Sequence, residues 1–165
     1  VVLDPVKISK SGYSLLRAEA RTALVERLFP LAEIVTPNIH EAELLAGFTI
    51  RTVPEMEAAA RQMVAAGAAK AVIKGGHLAG EAAVDLAYDG ARCETLTAPR
   101  IDTRNTHGTG CTFSSAVAAN RARGAAFFPA VAAAKQYITE AIRQAPDLGH
   151  GAGPLNPMVP APDLL

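Results

Sequence analysis

The chain has no tryptophan, few aromatic residues (5%), only two cysteines in 165 residues, and no surplus of either charge. Each shortage excludes something. Lys plus Arg and Asp plus Glu both number 16, so no global field draws the chain to nucleic acid or to an anionic membrane. Any anionic ligand must be held locally. Cys93 and Cys111 cannot build a disulfide framework, and they lack the C-x-x-C or paired-histidine spacing of a structural zinc site. A reducing, cytoplasmic setting is the expectation that follows. No apolar run approaches the roughly 20 residues of a membrane span, and no signal-peptide pattern stands at the front. An initiator methionine is also missing. Val1-Val-Leu3 reads as a buried strand met in its middle, which suggests the later portion of a longer chain.

What is present suits one domain over residues 1–165. Half the residues are hydrophobic, enough for a real core. Abundant alanine favours helices packed closely on a flat sheet. Val1–Leu3, Ile34-Val35-Thr36 and Ala71-Val72-Ile73 read as short buried strands. Leu16, Ala20, Leu24 and Leu28 recur every four residues and predict an amphipathic helix whose outer face carries Arg17, Glu19, Arg21, Glu26 and Arg27. Asn38 opens a short helix that Gly47 closes. Thr52-Val-Pro-Glu55 is a capping-box start, with Met56, Ala60, Met63 and Val64 on the buried stripe. Asp89-Gly90 between Ala82–Tyr88 and Arg92–Ala98 predicts a hairpin. Helices are expected over Cys111–Arg123 and from about Pro129 to Pro146, with Val131, Ala134, Ile138 and Ile142 inward. The Gly- and Pro-rich remainder reads as a tail. Strands alternating with helices predict a layered α/β domain with a mainly parallel sheet, whose ligands collect beyond the carboxyl ends of the strands.

The stretch Asn105-Thr-His-Gly-Thr-Gly-Cys111 carries the most chemistry. A Gly-x-Gly turn feeding a helix aims backbone N–H groups outward, and the helix dipole adds about half a positive charge there. Gly108, Thr109 and Gly110 could therefore hold a phosphate without any basic side chain. In such a first turn a thiol is more readily deprotonated, and Cys111 sits in it. The plainer alternative is a tight turn with a buried, inert cysteine. Asn105 and Thr106 add polar groups that a purely structural turn does not need.

Four further positions could complete a phosphoryl-transfer site. Asn38-Ile-His-Glu41 reads first as a capping box; the functional alternative sets Glu41 near a hard cation or its water shell, with Asn38 holding phosphate or water, since magnesium takes one or two carboxylates plus phosphate oxygens. Lys74 ends a strand beside Gly75-Gly76 and could neutralise a transferring phosphoryl group. Asp4 is by default a turn former, and in a site would help hold magnesium or orient the phosphates. Lys135 lies within the last helix, where it would cover an apolar pocket unless a nucleotide lies close by. His77 reads as a loop residue and Cys93 as structural. An anion cradle, a base, a carboxylate and a cation are the parts that phosphoryl transfer uses.

The order of these motifs is familiar. Asp4-Pro5-Val6 with Lys10-Ser11-Gly12, Thr36-Pro-Asn-Ile-His-Glu-Ala-Glu43, Val72-Ile-Lys-Gly-Gly-His77, Asn105-Thr-His-Gly-Thr-Gly-Cys111 and Gly151-Ala-Gly-Pro154 together resemble the hydroxymethylpyrimidine/phosphomethylpyrimidine kinases. These are the thiamine-biosynthesis members of the ribokinase-like superfamily. The resemblance implies a three-layer α/β/α fold with a mainly parallel central sheet, here lacking its N-terminal strands. It also implies use of ATP and Mg2+ to phosphorylate the hydroxymethyl group of 4-amino-5-hydroxymethyl-2-methylpyrimidine, and then its monophosphate. On that basis Cys111 takes the hydroxyl proton, and the amides of Gly108, Thr109 and Gly110 form the anion hole. Lys74 lies on the ATP phosphates, while Asn38 and Glu41 organise the magnesium. Asn105, Thr106 and Lys135 are candidate nucleotide contacts. The resemblance further implies a homodimer in the intact enzyme, with pyridoxal-type kinases as close relatives. Lys7-Ile8 departs from the family's Met followed by a small aliphatic residue. Two other readings stand beside this one: a pyridoxal-type kinase, and a silent fragment that only binds nucleotide.

Overall fold

The computed structural model describes residues 1–5, 18–76, 78 and 80–162. Expectations resting on Lys7, Ile8, Lys10, Ser11, Gly12, Leu16, Arg17 and His77, and on the Glu19 side chain, lie outside the described residues.

Five strands form one sheet in the order β1 (Val2–Leu3), β2 (Ile34–Val35), β3 (Ala71–Ile73), β4 (Ala82–Tyr88), β5 (Cys93–Pro99). The pairings β1–β2 and β2–β3 are parallel, whereas β3–β4 and β4–β5 are antiparallel. The sheet is therefore mixed, its antiparallel half coming from the hairpin that Asp89-Gly90 predicts. Asp89 builds that turn by accepting from the backbone N–H groups of Arg92 and Ala91 at 2.8 and 2.9 Å, with Gly90 at φ 98°. These N–H groups, Arg92's first, hold the Asp89 carboxyl below the usual carboxylate range.

Successive strand residues face opposite sides, so one apolar run supplies two cores. Val35, Ala71, Ile73, Leu86 and Tyr88 meet Leu24 and Phe29 just beyond α1 (Ala18–Ala23), α2 (Ile39–Ala46) and α3 (Val53–Ala65). Ile34, Val72 and Ala87 meet α4 (Thr109–Ala122) and α5 (Phe127–Arg143) through Phe113, Val117, Val131, Ala134 and Ile138. The result is a three-layer α/β/α sandwich. Both capping boxes form, Asn38 with Glu41 and Thr52 with Glu55.

Two expectations are corrected. The first helix does not keep its four-residue stripe, because α1 runs into a π turn (Leu24–Leu28) and a 3-10 turn (Phe29–Leu31). A π turn adds a residue, so the buried successor of Leu24 is Phe29 rather than Leu28, which is 44% exposed. The segment after α5 is not a loose tail. His107 N donates to Gly153 O at 3.0 Å, Asn156 N to Ala141 O at 2.9 Å and Tyr137 OH to Pro157 O at 2.8 Å. Leu155 and Val159 are buried in the core beside α4 and α5. These two apolar residues, spaced among prolines, dock it together with the hydrogen bonds.

Candidate active site

Asp4, Asn38 and Lys74 each follow one of the parallel strands, so strand direction alone sets them on one rim. Lys74 N donates to Pro37 O at 2.9 Å, and Asn38 and Lys74 form an isolated bridge beyond β2 and β3. The Lys74 ammonium reaches Asp4 Oδ1 at 2.8 Å, both side chains being largely buried. α4 begins directly on this pair. A Cβ built on Gly110 would stand 3.2 Å from Lys74 Nζ and 4.0 Å from Asp4 Oδ2. Gly110 is thus the residue that lets a cation approach the helix start.

The helix start itself suits an anion. Gly108 turns into it at φ 87°, in the left-handed region open to glycine. No side chain caps α4 and no acidic residue occupies its first turn. Thr109 Oγ1 donates to Thr106 O at 2.8 Å. Cys111 is exposed, so the buried-thiol alternative does not hold. Cys93 is half-buried, and burial pushes its thiol up from the usual range.

Hydroxyls tie this start to the sheet. Ser114 lies within 2.8 Å of Thr36 Oγ1 and donates to Gly110 O at 3.0 Å, while Thr36 approaches Leu3 O at 3.3 Å. Both side chains are buried. One proton each means that Thr36 donates to Ser114 when Ser114 donates to Gly110. This chain of hydroxyls links the end of β2 to the first turn of α4, and Thr36 N–H donates to Leu3 O at 2.9 Å beside it. Sequence reasoning missed this pair; hydroxyls one residue after a strand and four after a glycine are too common to stand out.

Glu41 is buried, and its Oε2 accepts from Asn38 N at 2.8 Å while Asn38 Oδ1 accepts from Glu41 N at 2.9 Å. The capping reading is therefore realised, on the bridge that joins Asn38 to Lys74. Asn105 and Lys135 each contact other parts of the protein. Asn105 is buried, its Nδ2 donates to Pro146 O at 3.2 Å, and its Oδ1 lies against Gly153, where a Cβ would come within 2.2 Å. Lys135 is buried with its ammonium 2.7 Å from Asp85 Oδ2, and Asp85 Oδ1 accepts from Gly75 N at 2.8 Å. Asp85 escaped sequence reasoning although it carried a signal, a carboxylate inside the apolar strand Ala82–Tyr88. Arg100 was missed as well. Its guanidinium donates to the carbonyls of Gly76, Leu78, Gly80 and Ala82 and so shapes the loop after Lys74.

A groove of about 450 Å³ opens along Pro99, Lys135, Thr139, Glu140, Arg143 and Pro160. Lys135 in its wall is the partner of Asp85. Among the described residues no three His, Cys, Asp or Glu gather as a metal cluster. Magnesium does not require one, since it binds through one or two carboxylates and fills its shell with phosphate and water oxygens. The hard oxygens of Asp4 and Glu41 fit that pattern, and the bare helix start over Lys74 fits a phosphate.

A glycine-flanked helix start on the rim of a three-layer α/β/α sandwich is the arrangement of the ribokinase-like class. The phosphomethylpyrimidine kinase family model matches residues 1–156. The chain belongs to that family. It is 49% identical over 164 residues to the thiamine biosynthesis bifunctional protein ThiED of Geobacter sulfurreducens, covering 99% of this chain and 34% of that protein. It is 47% identical to the hydroxymethylpyrimidine/phosphomethylpyrimidine kinase of Rhizobium meliloti, covering 94% of this chain and 59% of that one. Among solved structures, an ADP complex of Bacillus subtilis pyridoxal kinase superposes with a TM-score of 0.84 at 44% identity, over 94% of this chain and 57% of that one. The chain thus spans less than two thirds of each of these relatives. No helix among the described residues is long and apolar enough to cross a membrane.

Proposed function

We propose that the full-length protein transfers the γ-phosphoryl group of ATP to the hydroxymethyl group of 4-amino-5-hydroxymethyl-2-methylpyrimidine, and then to its monophosphate. The observation that carries this reading is the Lys74 ammonium against Gly110, paired with Asp4, at the uncapped start of α4. A cation and a row of backbone N–H groups facing one space favour an oxygen-rich anion whose charge spreads during transfer. The kinase names and the ADP complex of its relatives support the choice of ATP.

In this reading the alcohol oxygen bonds to the γ-phosphorus as the bond to the departing ADP oxygen breaks, and the hydroxyl proton passes to the Cys111 sulfur. Cys111 is exposed and stands next to Gly110, within reach of an entering alcohol. The amides of Gly108, Thr109 and Gly110 hold the phosphoryl oxygens, and Lys74 neutralises them. Thr36 and Ser114 keep that turn in place. Magnesium, when bound, offsets phosphate charge, with Asp4 and Glu41 supplying the oxygens that would hold it. Asn105 acts on the docked C-terminal segment, and Thr106 on the turn through Thr109. A cytoplasmic homodimer belongs to the same reading.

The likeness to a pyridoxal kinase favours a second alcohol. Following ADP release with the full-length protein decides between them. The expected result is a higher kcat/KM for the pyrimidine alcohol. A higher value for pyridoxal would reverse the assignment, and ATP binding without turnover of either alcohol would reduce the protein to a nucleotide binder.

A further inference from the structure

We infer that Asp85 and Lys135 are positioning residues: together they set the corner at Lys74–Gly75 that aims the Lys74 ammonium at Gly110, and Lys135 is not a nucleotide ligand. The backbone ladder between β3 and β4 ends at the pair Ile73–Leu86. One residue further, Lys74 N donates to Pro37 O on the opposite edge, continuing the parallel pairing with the β2 side. Gly75 N then donates to the Asp85 carboxylate at 2.8 Å instead of to a strand carbonyl. A side chain thus stands in for the ladder where β3 departs. The fit is close, since a Cβ on Gly75 would lie 1.8 Å from Val84 O. Only glycine lets the backbone press onto β4 there.

Asp85 has an apolar neighbour on either side in β4, and its side chain is 6% exposed. A carboxylate so placed needs a partner, and Lys135 provides it from α5 at 2.7 Å, itself 10% exposed. Such buried pairs add little net stability, because desolvation offsets the attraction. What this pair does uniquely is hold one carboxylate oxygen on a backbone N–H next to Lys74. Alternation along β3 places Lys74 on the same side as Val72, the side of α4 and α5, and the Gly75 contact with Asp85 holds the backbone from which its ammonium reaches Asp4.

The inference concerns the same site as the kinase reading, and its turnover arm rests on that reading; its exchange arm does not. Removing Lys135 alone would strand a buried carboxylate, so two uncharged double variants of the full-length protein are compared. D85N/K135M keeps an oxygen for Gly75 N, whereas D85V/K135M does not. Amide hydrogen exchange is expected to show Gly75 N–H protected at least tenfold more strongly in D85N/K135M than in D85V/K135M. The kcat of D85N/K135M is expected to exceed that of D85V/K135M at least tenfold, at similar KM for ATP. Equal Gly75 protection in the two variants, or a Gly75 amide in the unsubstituted protein that exchanges as fast as open loops, would overturn the inference. So would a tenfold rise in KM for ATP common to both variants with equal kcat, which would make Lys135 a nucleotide ligand. Absence of any turnover in the unsubstituted protein would defeat the kinase reading alone, with the exchange result still deciding this one.

Discussion

Replacing Gly110 with alanine would set stability and turnover moving in opposite directions. Gly110 is the second residue of α4, and alanine in a helix is favoured over glycine by up to about 1 kcal/mol. Against that gain stands one tight contact, the new Cβ at 3.2 Å from Lys74 Nζ, with Asp4 Oδ2 further off at 4.0 Å. The obstacle is the end of a flexible side chain rather than backbone. It relieves the contact by moving a few tenths of an ångström and keeps its 2.8 Å pair with Asp4. A net gain of about 0.5 kcal/mol is expected, or about 1–2 °C in Tm for a domain of this size. The same methyl group occupies space that the transferring phosphoryl group needs, and misplacement by about 1 Å costs on the order of 100-fold in rate. The kcat should fall at least about tenfold. Thermal unfolding and ADP release on one preparation measure both quantities. Undiminished turnover in a folded Gly110→Ala protein would show that no reacting group lies over that residue.

Other perturbations test separate parts of the argument. Cys111→Ala should lower kcat about 100-fold or more while ATP binding survives; in the unsubstituted protein iodoacetamide should label exposed Cys111 before Cys93, and ATP should slow that labelling. Unchanged turnover would remove the thiol from the mechanism. Gly153→Ala should cost about 2–3 kcal/mol in urea unfolding, because its Cβ would fall 2.2 Å from Asn105 Oδ1, whereas Gly151→Ala, with nothing within 4 Å, should stay within about 0.5 kcal/mol. Equal effects would mean that the docked segment is not registered by Asn105. Burial raises the Cys93 thiol in the folded state, so above the ordinary thiol value of about 8.5 the unfolded chain releases a proton that the native chain keeps. Stability should therefore decline as pH rises from about 8 to 10, and Cys93→Ala should flatten that decline.

Local signals carried much of this site. The hairpin at Asp89-Gly90, the capping boxes at Asn38 and Thr52, and the helix start at Gly108 depend on neighbours a few residues apart, so the sequence displays them directly. Two misreadings arose where packing across the fold overrode local pattern. Leu28 satisfies the helical stripe, yet the π turn moves its place to Phe29. Residues 147–162 look like a tail by composition, yet Leu155 and Val159 find a core formed by α4 and α5.

Taken by itself, the order of residues determined the chemistry available: a bare helix start, an adjacent thiol, and one polar residue at the end of each buried strand. Tertiary structure decided which of those groups meet. Lys74 reaches Asp4 across 70 positions of chain, and Lys135 reaches Asp85 across 50, so neither pairing leaves a periodic trace. Parallel pairing of β1, β2 and β3 brings the strand ends together, and the layer to which each helix belongs selects the side chains that face them. Contacts of that range are set by the burial of whole faces, which no short window of sequence contains.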